Sequence, residues 1–203
     1  MQDIQQKQQQ YHMLPYDTYL IILFDYYNIN YKIENNKIQF EYNSLQTLNE
    51  YIQNNGKLKH NDILKLIYDT GILIKSLEED NRGIFCFSIN DYIVINKNLF
   101  LFINHLNIST IYKKNLTLTI PIDTNEYFIK NDLNFSHLPI KEYYTISYYH
   151  FGLMIIYLLT EERYSNEKIE LLNKIYQTYN PSLYYFLLRC LNANPQERYY
   201  IYI

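Results

Sequence analysis

The segment that decides the fold is Ile146–Leu159, whose sequence is ISYYHFGLMIIYLL. It is apolar almost all the way round a helix, and this pattern predicts a helix buried at the centre of a domain. The run is too short to span a bilayer, which takes about 20 apolar residues. An interior helical glycine costs about 1 kcal/mol relative to alanine. We therefore expect that Gly152 lets another element pack closely.

Helical patterns flank this segment on both sides. Apolar residues recur at the spacing of one helix face, and Asn, Gly and Pro mark the ends. The predicted helices are Tyr16–Tyr27, Leu45–Ile52 ended by Gly56, Asn61–Leu77 with Asn61 as N-cap, Glu167–Tyr179, Pro181–Leu191, and a last one opened by Pro195.

Short runs rich in β-forming residues predict small strands, and Asn-rich turns separate several of them. Asn35-Asn36 is the turn of a predicted hairpin, and Asn104 to Lys141 is mostly irregular. The fold class is therefore α+β and mostly α, after a polar, Gln-rich tail at residues 1–10. The predicted strands are Tyr31–Ile33, Lys37–Tyr42, Ile84–Phe87, Tyr92–Ile95, Leu99–Ile103 and Leu116–Ile120.

Composition excludes several classes of function. The 203-residue chain has only four glycines, none clustered, which argues against the Gly-rich phosphate loops of P-loop, Rossmann and kinase folds. A net charge of −3 predicts neither a nucleic-acid partner nor attraction to an anionic membrane. The 25 tyrosines, ten phenylalanines and abundant Ile and Asn suggest an AT-rich genome, so we do not take aromatic clusters as functional signals.

Cysteine usage and the N-terminus predict the compartment. Cys86 and Cys190 lie far apart in the chain and suggest neither a disulfide framework nor a metal pair. The first ten residues are polar, whereas a signal peptide needs an apolar stretch. We therefore expect an intracellular, cytoplasmic protein that does not act at a membrane.

The order of these elements resembles the protein kinase fold, mainly its C-terminal lobe. The strongest match is Ser147–Thr160, which is similar to the family's Asp-x-Trp-Ser-Leu-Gly helix, and the next is Cys190–Arg198, similar to Cys-Leu-x-x-Asp-Pro-x-x-Arg. Further matches, in chain order, are Phe40–Tyr42 (hinge strand), Asn61–Leu77 (helix before the catalytic loop), Gly83–Ile89 (Gly-Ile-x-His-Arg-Asp-Ile), Tyr92–Ile95 and Leu99–Ile103 (the strands around the loop and before Asp-Phe-Gly), and Phe128–Leu133 (end of the activation segment).

The resemblance implies a reduced N-lobe-like segment at 11–42 and a C-lobe-like helical domain at 43–203. It also implies a structural ion pair between Asp132, at the family's Ala-Pro-Glu position, and Arg198. The alternative interpretation is that the two are unrelated surface charges.

Departures from the family pattern decide the expected chemistry. Kinases use a catalytic-loop Asp, a metal-binding Asn and Asp, and a strand Lys. Here the catalytic-loop positions carry Ser88, Asn90 and Tyr92, and the Asp-Phe-Gly position carries Asn104 and His105. A Ser hydroxyl is not a base near neutrality, and neutral Asn and His cannot balance Mg²⁺ as carboxylates do. The resemblance therefore implies a pseudokinase with no cofactor, no metal and no catalytic residues.

We expect a catalytically inactive interaction or scaffold module with a protein partner. One alternative is a divergent phosphotransferase that uses Asp91, or Asp123 and Asp132. Another is a helical structural or assembly protein, which would lack the buried helix at Ile146–Leu159. Composition and likeness to degenerate viral kinase-like proteins suggest a large DNA virus or a protist as the source, and a viral protein would act in the host cytoplasm.

Overall fold

The computed structural model describes residues 10–130, 133, 137–164 and 169–200. Over these residues the chain combines six α-helices with small antiparallel sheets. The helices are α1 (Thr18–Tyr26), α2 (Leu48–Asn55), α3 (His60–Glu79), α4 (Ile146–Thr160), α5 (Ile169–Thr178) and α6 (Pro181–Cys190). The strands are β1 (Gln10–Pro15), β2 (Tyr31–Glu34), β3 (Lys37–Tyr42), β4 (Leu45–Thr47), β5 (Arg82–Ile84), β6 (Tyr92–Ile95), β7 (Leu99–Phe102), β8 (Ile108–Thr110), β9 (Asn115–Leu118) and β10 (Ile140–Tyr143).

Helix α4 is the buried helix that its apolar sequence predicts. Thirteen of its 15 residues are buried, including the polar side chains of Ser147 and His150. Helix α6 packs across it, and its first turn begins with Pro181, as expected. Because α4 is enclosed on all sides, it is a fixed support for the segments around it.

The N-terminal sheet has the strand order β1-β3-β2. Its β2–β3 hairpin closes through Asn35 and Asn36, whose φ angles of 51° and 58° are those of the turn that suits twisted strands. The inner face carries Ile38 and Phe40, both fully buried, against Phe24 of α1. Strand β1 was not predicted, and it begins at Gln10, so residue 10 is not part of a tail.

The other sheets are small and antiparallel. Strand β4 precedes α2 and pairs with β6, and β6 continues through a tight turn into β7. Strand β5 pairs with β8, and β9 pairs with β10. Helix α3 packs against β7 and β5, which places the loop from β5 to β6 beside the end of β7.

Several predicted boundaries are wrong. Asn61 is not the N-cap of α3, because the helix begins earlier and the Asp62 carboxylate accepts the Lys59 N–H instead (3.3 Å). Leu45 lies in a strand and not in the helix that follows. The chain leaves β5 after Ile84, so Phe85–Phe87 is not a strand. Pro195 opens only a single 3₁₀ turn.

The region from Asn104 to Lys141 is more ordered than predicted. It contains β8, the whole of β9 and the start of β10. Each of these strands is three or four residues long, and its partner is distant in sequence or across an irregular segment. Such pairing leaves little local signal, because it depends on contacts formed only in the folded chain.

Candidate functional site

The two segments that carry the site residues predicted from the sequence, Ser88–Tyr92 and Asn104–His105, lie in contact. The loop between β5 and β6 ends at Asp91, and the turn after β7 begins at Ile103. The Ile103 N–H donates to the Asp91 backbone carbonyl (2.8 Å), and the Asn104 side-chain amide donates to the Asp91 carboxylate (2.7 Å). The β6–β7 hairpin causes this contact, because it brings the residues before its first strand beside those after its second.

Asp91 is the centre of this cluster. Its residue is only 4% exposed, and its carboxylate accepts three hydrogen bonds. They come from the Ser88 backbone N–H (2.9 Å), from Asn104 Nδ2 (2.7 Å) and, at longer range, from Asn107 Nδ2 (3.4 Å). Burial raises the pKa of Asp91, and these hydrogen bonds oppose the rise.

A short 3₁₀ turn presents the two amides side by side. It spans His105–Asn107, and the Asn104 side-chain oxygen caps it by accepting the Leu106 N–H (3.1 Å). Residues three apart eclipse each other in a 3₁₀ turn, so Asn104 and Asn107 can both reach Asp91. Asn104 Nδ2 also donates to the Tyr127 hydroxyl (3.2 Å). Sequence reasoning missed Asn107 and Tyr127, and only the Asn-x-x-Asn spacing signals the former.

The remaining predicted positions divide between the cluster and its surroundings. Ser88 is buried, and its Oγ accepts the Asn90 N–H (3.2 Å), which closes the loop. Asn90 itself is exposed. Tyr92 does not join the cluster, because its hydroxyl lies 3.1 Å from Thr70 Oγ1 of α3 and its ring packs against Phe102.

His105 is half-buried in the 3₁₀ turn, and its backbone N–H donates to Ile103. Over the residues that the structure describes, no group of three His, Cys, Asp or Glu side chains is arranged to hold a metal ion. Cys86 and Cys190 are buried, and burial raises the pKa of both thiols. Neither cysteine therefore has the character of a reactive thiolate.

Helix α4 supports the loop from beneath. Ser147 Oγ lies 2.6 Å from the Ile84 carbonyl, and His150 Nδ1 lies 2.6 Å from the Phe85 carbonyl. His150 Nε2 accepts the Lys130 N–H (3.1 Å), so Nδ1 must carry the proton and donate to Phe85. One neutral histidine thus joins α4 to the loop and to the segment that follows Phe128.

Of the two residues in the predicted ion pair, only Arg198 lies within the described residues. Asp132 lies outside the described residues. Arg198 is buried, its Nε donates to the Asn192 carbonyl (2.7 Å), and its guanidinium lies 4.8 Å from the centre of the Tyr149 ring. These contacts tie the segment after α6 to α4, so Arg198 is not an ordinary surface charge.

The carboxylates proposed for a divergent phosphotransferase differ in burial. Asp123 is exposed, and its Oδ1 accepts the Asn125 N–H (2.8 Å), which is the role of a turn residue. Asp91 is thus the one carboxylate of the three candidates that the structure describes in a buried cluster.

No family model matches this chain, and a search of curated proteins finds no match. Among the helices that the structure describes, none is at once long and apolar enough to cross a bilayer.

Proposed function

We propose that this protein is a catalytically inactive, kinase-like interaction or scaffold module. Support comes from the order of its elements. A long helix leads to a short loop, a hairpin follows the loop, and a buried helix lies beneath it. This is the arrangement that the kinase resemblance of the sequence leads one to expect. The buried α4 also counts against the alternative of an unrelated helical protein, which predicts that this helix is lacking.

The observation that carries the proposal is the set of partners around Asp91. A carboxylate that binds Mg²⁺ or accepts a substrate proton must direct an oxygen lone pair at the ligand. Three of the roughly four lone-pair positions of the Asp91 carboxylate accept hydrogen bonds from the protein, and the residue is 4% exposed, so little of this carboxylate can reach a ligand.

The charges next to Asp91 also support an inactive protein. Phosphoryl transfer depends on positioned cations and on carboxylates that hold Mg²⁺ against the phosphates. The side chains that donate to the Asp91 carboxylate are the neutral amides of Asn104 and Asn107, and the charged neighbour that acts on it is a second carboxylate, Glu126, which raises the pKa of Asp91. None of these neighbours is a cation that could stabilise the negative charge that develops in the transition state.

A divergent phosphotransferase is the second candidate, and one observation favours it. Asp91 is a buried carboxyl with a raised pKa beside a loop, which is a common property of catalytic acids and bases. For this role, the Asp91 carboxylate, whose residue is 4% exposed, would have to become accessible to a nucleotide or metal.

Nucleotide binding distinguishes the two candidates. The experiment measures the melting temperature of the full chain with millimolar ATP, with Mg²⁺ and then with EDTA. We expect no metal-dependent shift. A nucleotide at 100 times its Kd would add about 2.7 kcal/mol, which raises the melting temperature of a chain this size by roughly 5–10 °C. A shift of that size with Mg²⁺ that EDTA removes would contradict the proposal.

A further inference from the structure

Strand β2 forms an open edge of the N-terminal sheet. The strand order is β1-β3-β2, and no strand within the described ranges pairs with the outer side of β2. Its four residues, Tyr31-Lys32-Ile33-Glu34, are exposed apart from the half-buried Tyr31. Open edges offer backbone donors and acceptors to another strand.

The hairpin geometry determines which backbone groups face outward. Glu34 and Lys37 flank the Asn35-Asn36 turn, and the Glu41 N–H donates to the Asn30 carbonyl (2.9 Å). Hydrogen-bonded positions alternate along an antiparallel pair, so residues 30, 32 and 34 bond to β3. The N–H and C=O groups of Tyr31 and Ile33 therefore point away from the sheet, and none of them bonds to another described residue.

The side chains of Lys32, Ile33 and Glu34 on this edge strand are exposed to solvent. Ile33 is 48% exposed, although its side chain lies on the same face as the fully buried Ile38 opposite it. Lys32 and Glu34 lie on the other face and are exposed. Neither forms an ion pair within the part of the chain that the structure describes.

We infer that β2 pairs antiparallel with β2 of a second copy of this chain, about a two-fold axis at Ile33. In this register the outward groups of the two Ile33 residues bond to each other, and their side chains meet on the inner face. Lys32 then lies opposite Glu34 of the second copy, and Glu34 lies opposite its Lys32. Opposite charges directly across an antiparallel pair are stabilising.

The sequence of the edge favours this occupant and this register. Centring the pair on Tyr31 instead would place Lys32 against Asn30 and would form no charge pair. A lysine on an edge strand usually discourages association. A strand that brings an acidic residue into register opposite Lys32 would balance this charge, and β2 itself is such a strand. The result is a continuous six-stranded sheet across two copies.

Four residues bury little surface, so the dimer should be weak and dependent on concentration. The experiment is sedimentation equilibrium of the full chain from about 1 µM to about 300 µM. Four proteins are compared: wild type, Lys32→Glu, Glu34→Lys and the double variant with both changes. Lys174→Glu on the exposed side of α5 is the matched control, because it makes the same charge change away from β2.

We expect wild type to dimerise within this range. Each single variant places like charges opposite each other at both pairs, so its dimer Kd should rise at least about tenfold. The double variant restores both pairs with reversed signs and should return to the wild-type Kd, as should Lys174→Glu. A mixture of the two single variants should form heterodimers, because its charges are again complementary.

A wild-type chain that stays monomeric over the whole range would overturn the inference. So would a dimer that the single variants leave unchanged, since it would form through another surface. Failure of the double variant to recover, with an unchanged melting temperature, would overturn this register. None of these outcomes involves the Asp91 cluster, so they are independent of the proposed function.

Discussion

At the residue scale, Asp69 of α3 shows how burial makes a carboxylate sensitive to pH. It is 1% exposed, and it accepts hydrogen bonds from the Tyr27 hydroxyl (2.8 Å) and the Phe100 N–H (2.9 Å). Burial still dominates and raises the pKa of Asp69 to about 7, whereas the two hydrogen bonds and Lys65 act to lower it. The folded protein therefore holds this proton more tightly than the unfolded chain does.

This difference predicts how stability changes with pH. The stabilisation from Asp69 is complete below the ordinary Asp pKa and is lost as the pH rises through about 7. We expect the free energy of unfolding to fall by on the order of 3–4 kcal/mol between about pH 4 and pH 7.5 from this group. Asp69→Asn should remove that part of the slope, because the amide is neutral at every pH.

Urea unfolding at several pH values measures the effect in both proteins. An asparagine oxygen can still accept from Phe100, and its NH₂ group can donate to Tyr27, so the variant should fold. Asp91 and Glu78 also have raised pKa values, and comparing the two proteins cancels their contribution. Parallel pH profiles would contradict the account of Asp69.

At the element scale, the packing of α4 against α6 depends on Gly152. A Cβ at this position would lie 3.0 Å from the Cβ of Cys190 and 3.5 Å from Leu191 Cδ2. A Cβ cannot rotate away, so one of the two helices would have to shift. We expect Gly152→Ala to destabilise the fold by about 1–3 kcal/mol, and Gly152→Val by more.

Gly83→Ala is the matched control, because a Cβ there would also meet an atom at 3.0 Å, namely Cδ1 of the Leu116 side chain. A leucine side chain can change rotamer, so the loss should be smaller. Denaturant unfolding of both variants gives the comparison. If Gly152→Ala were more stable than wild type, as helix propensity alone predicts, α4 and α6 would not be in close contact.

Most elements with a strong local pattern were predictable from the sequence. The buried α4, the helical period of α3 and the Asn35-Asn36 hairpin follow from residue spacing alone. Strands β1, β4, β8 and β10 were not predicted, because each is defined by a partner elsewhere in the chain. Only the folded chain provides those contacts.

Part of the candidate site was predictable from the sequence. Ser88 and Asn104 stood out by motif position, and the structure brings both to Asp91. The contribution of Tyr127 was not predictable, since it reaches Asn104 from a distant irregular segment. Sequence position also could not show that Tyr92 points into the core instead of the loop.

At the scale of the whole molecule, a buried helix forms a fixed support beneath the loop between β5 and β6. Helix α4 holds the loop through Ser147 and His150, and the loop directs Asp91 toward amides. A rigid support of this kind can orient catalytic groups or keep a surface in shape for a partner. The hydrogen bonds that the Asp91 carboxylate accepts from the protein favour the second role.

Phosphate transfer from labelled Mg-ATP tests this central claim most directly. The measurement follows label on the chain itself, on a general acceptor protein and as free phosphate, for wild type and for Asp91→Asn. The account predicts that both proteins give the same background, because Asp91 is committed to protein donors. Transfer by wild type that Asp91→Asn abolishes, while the variant remains folded, would show that the protein is a phosphotransferase and would contradict the account.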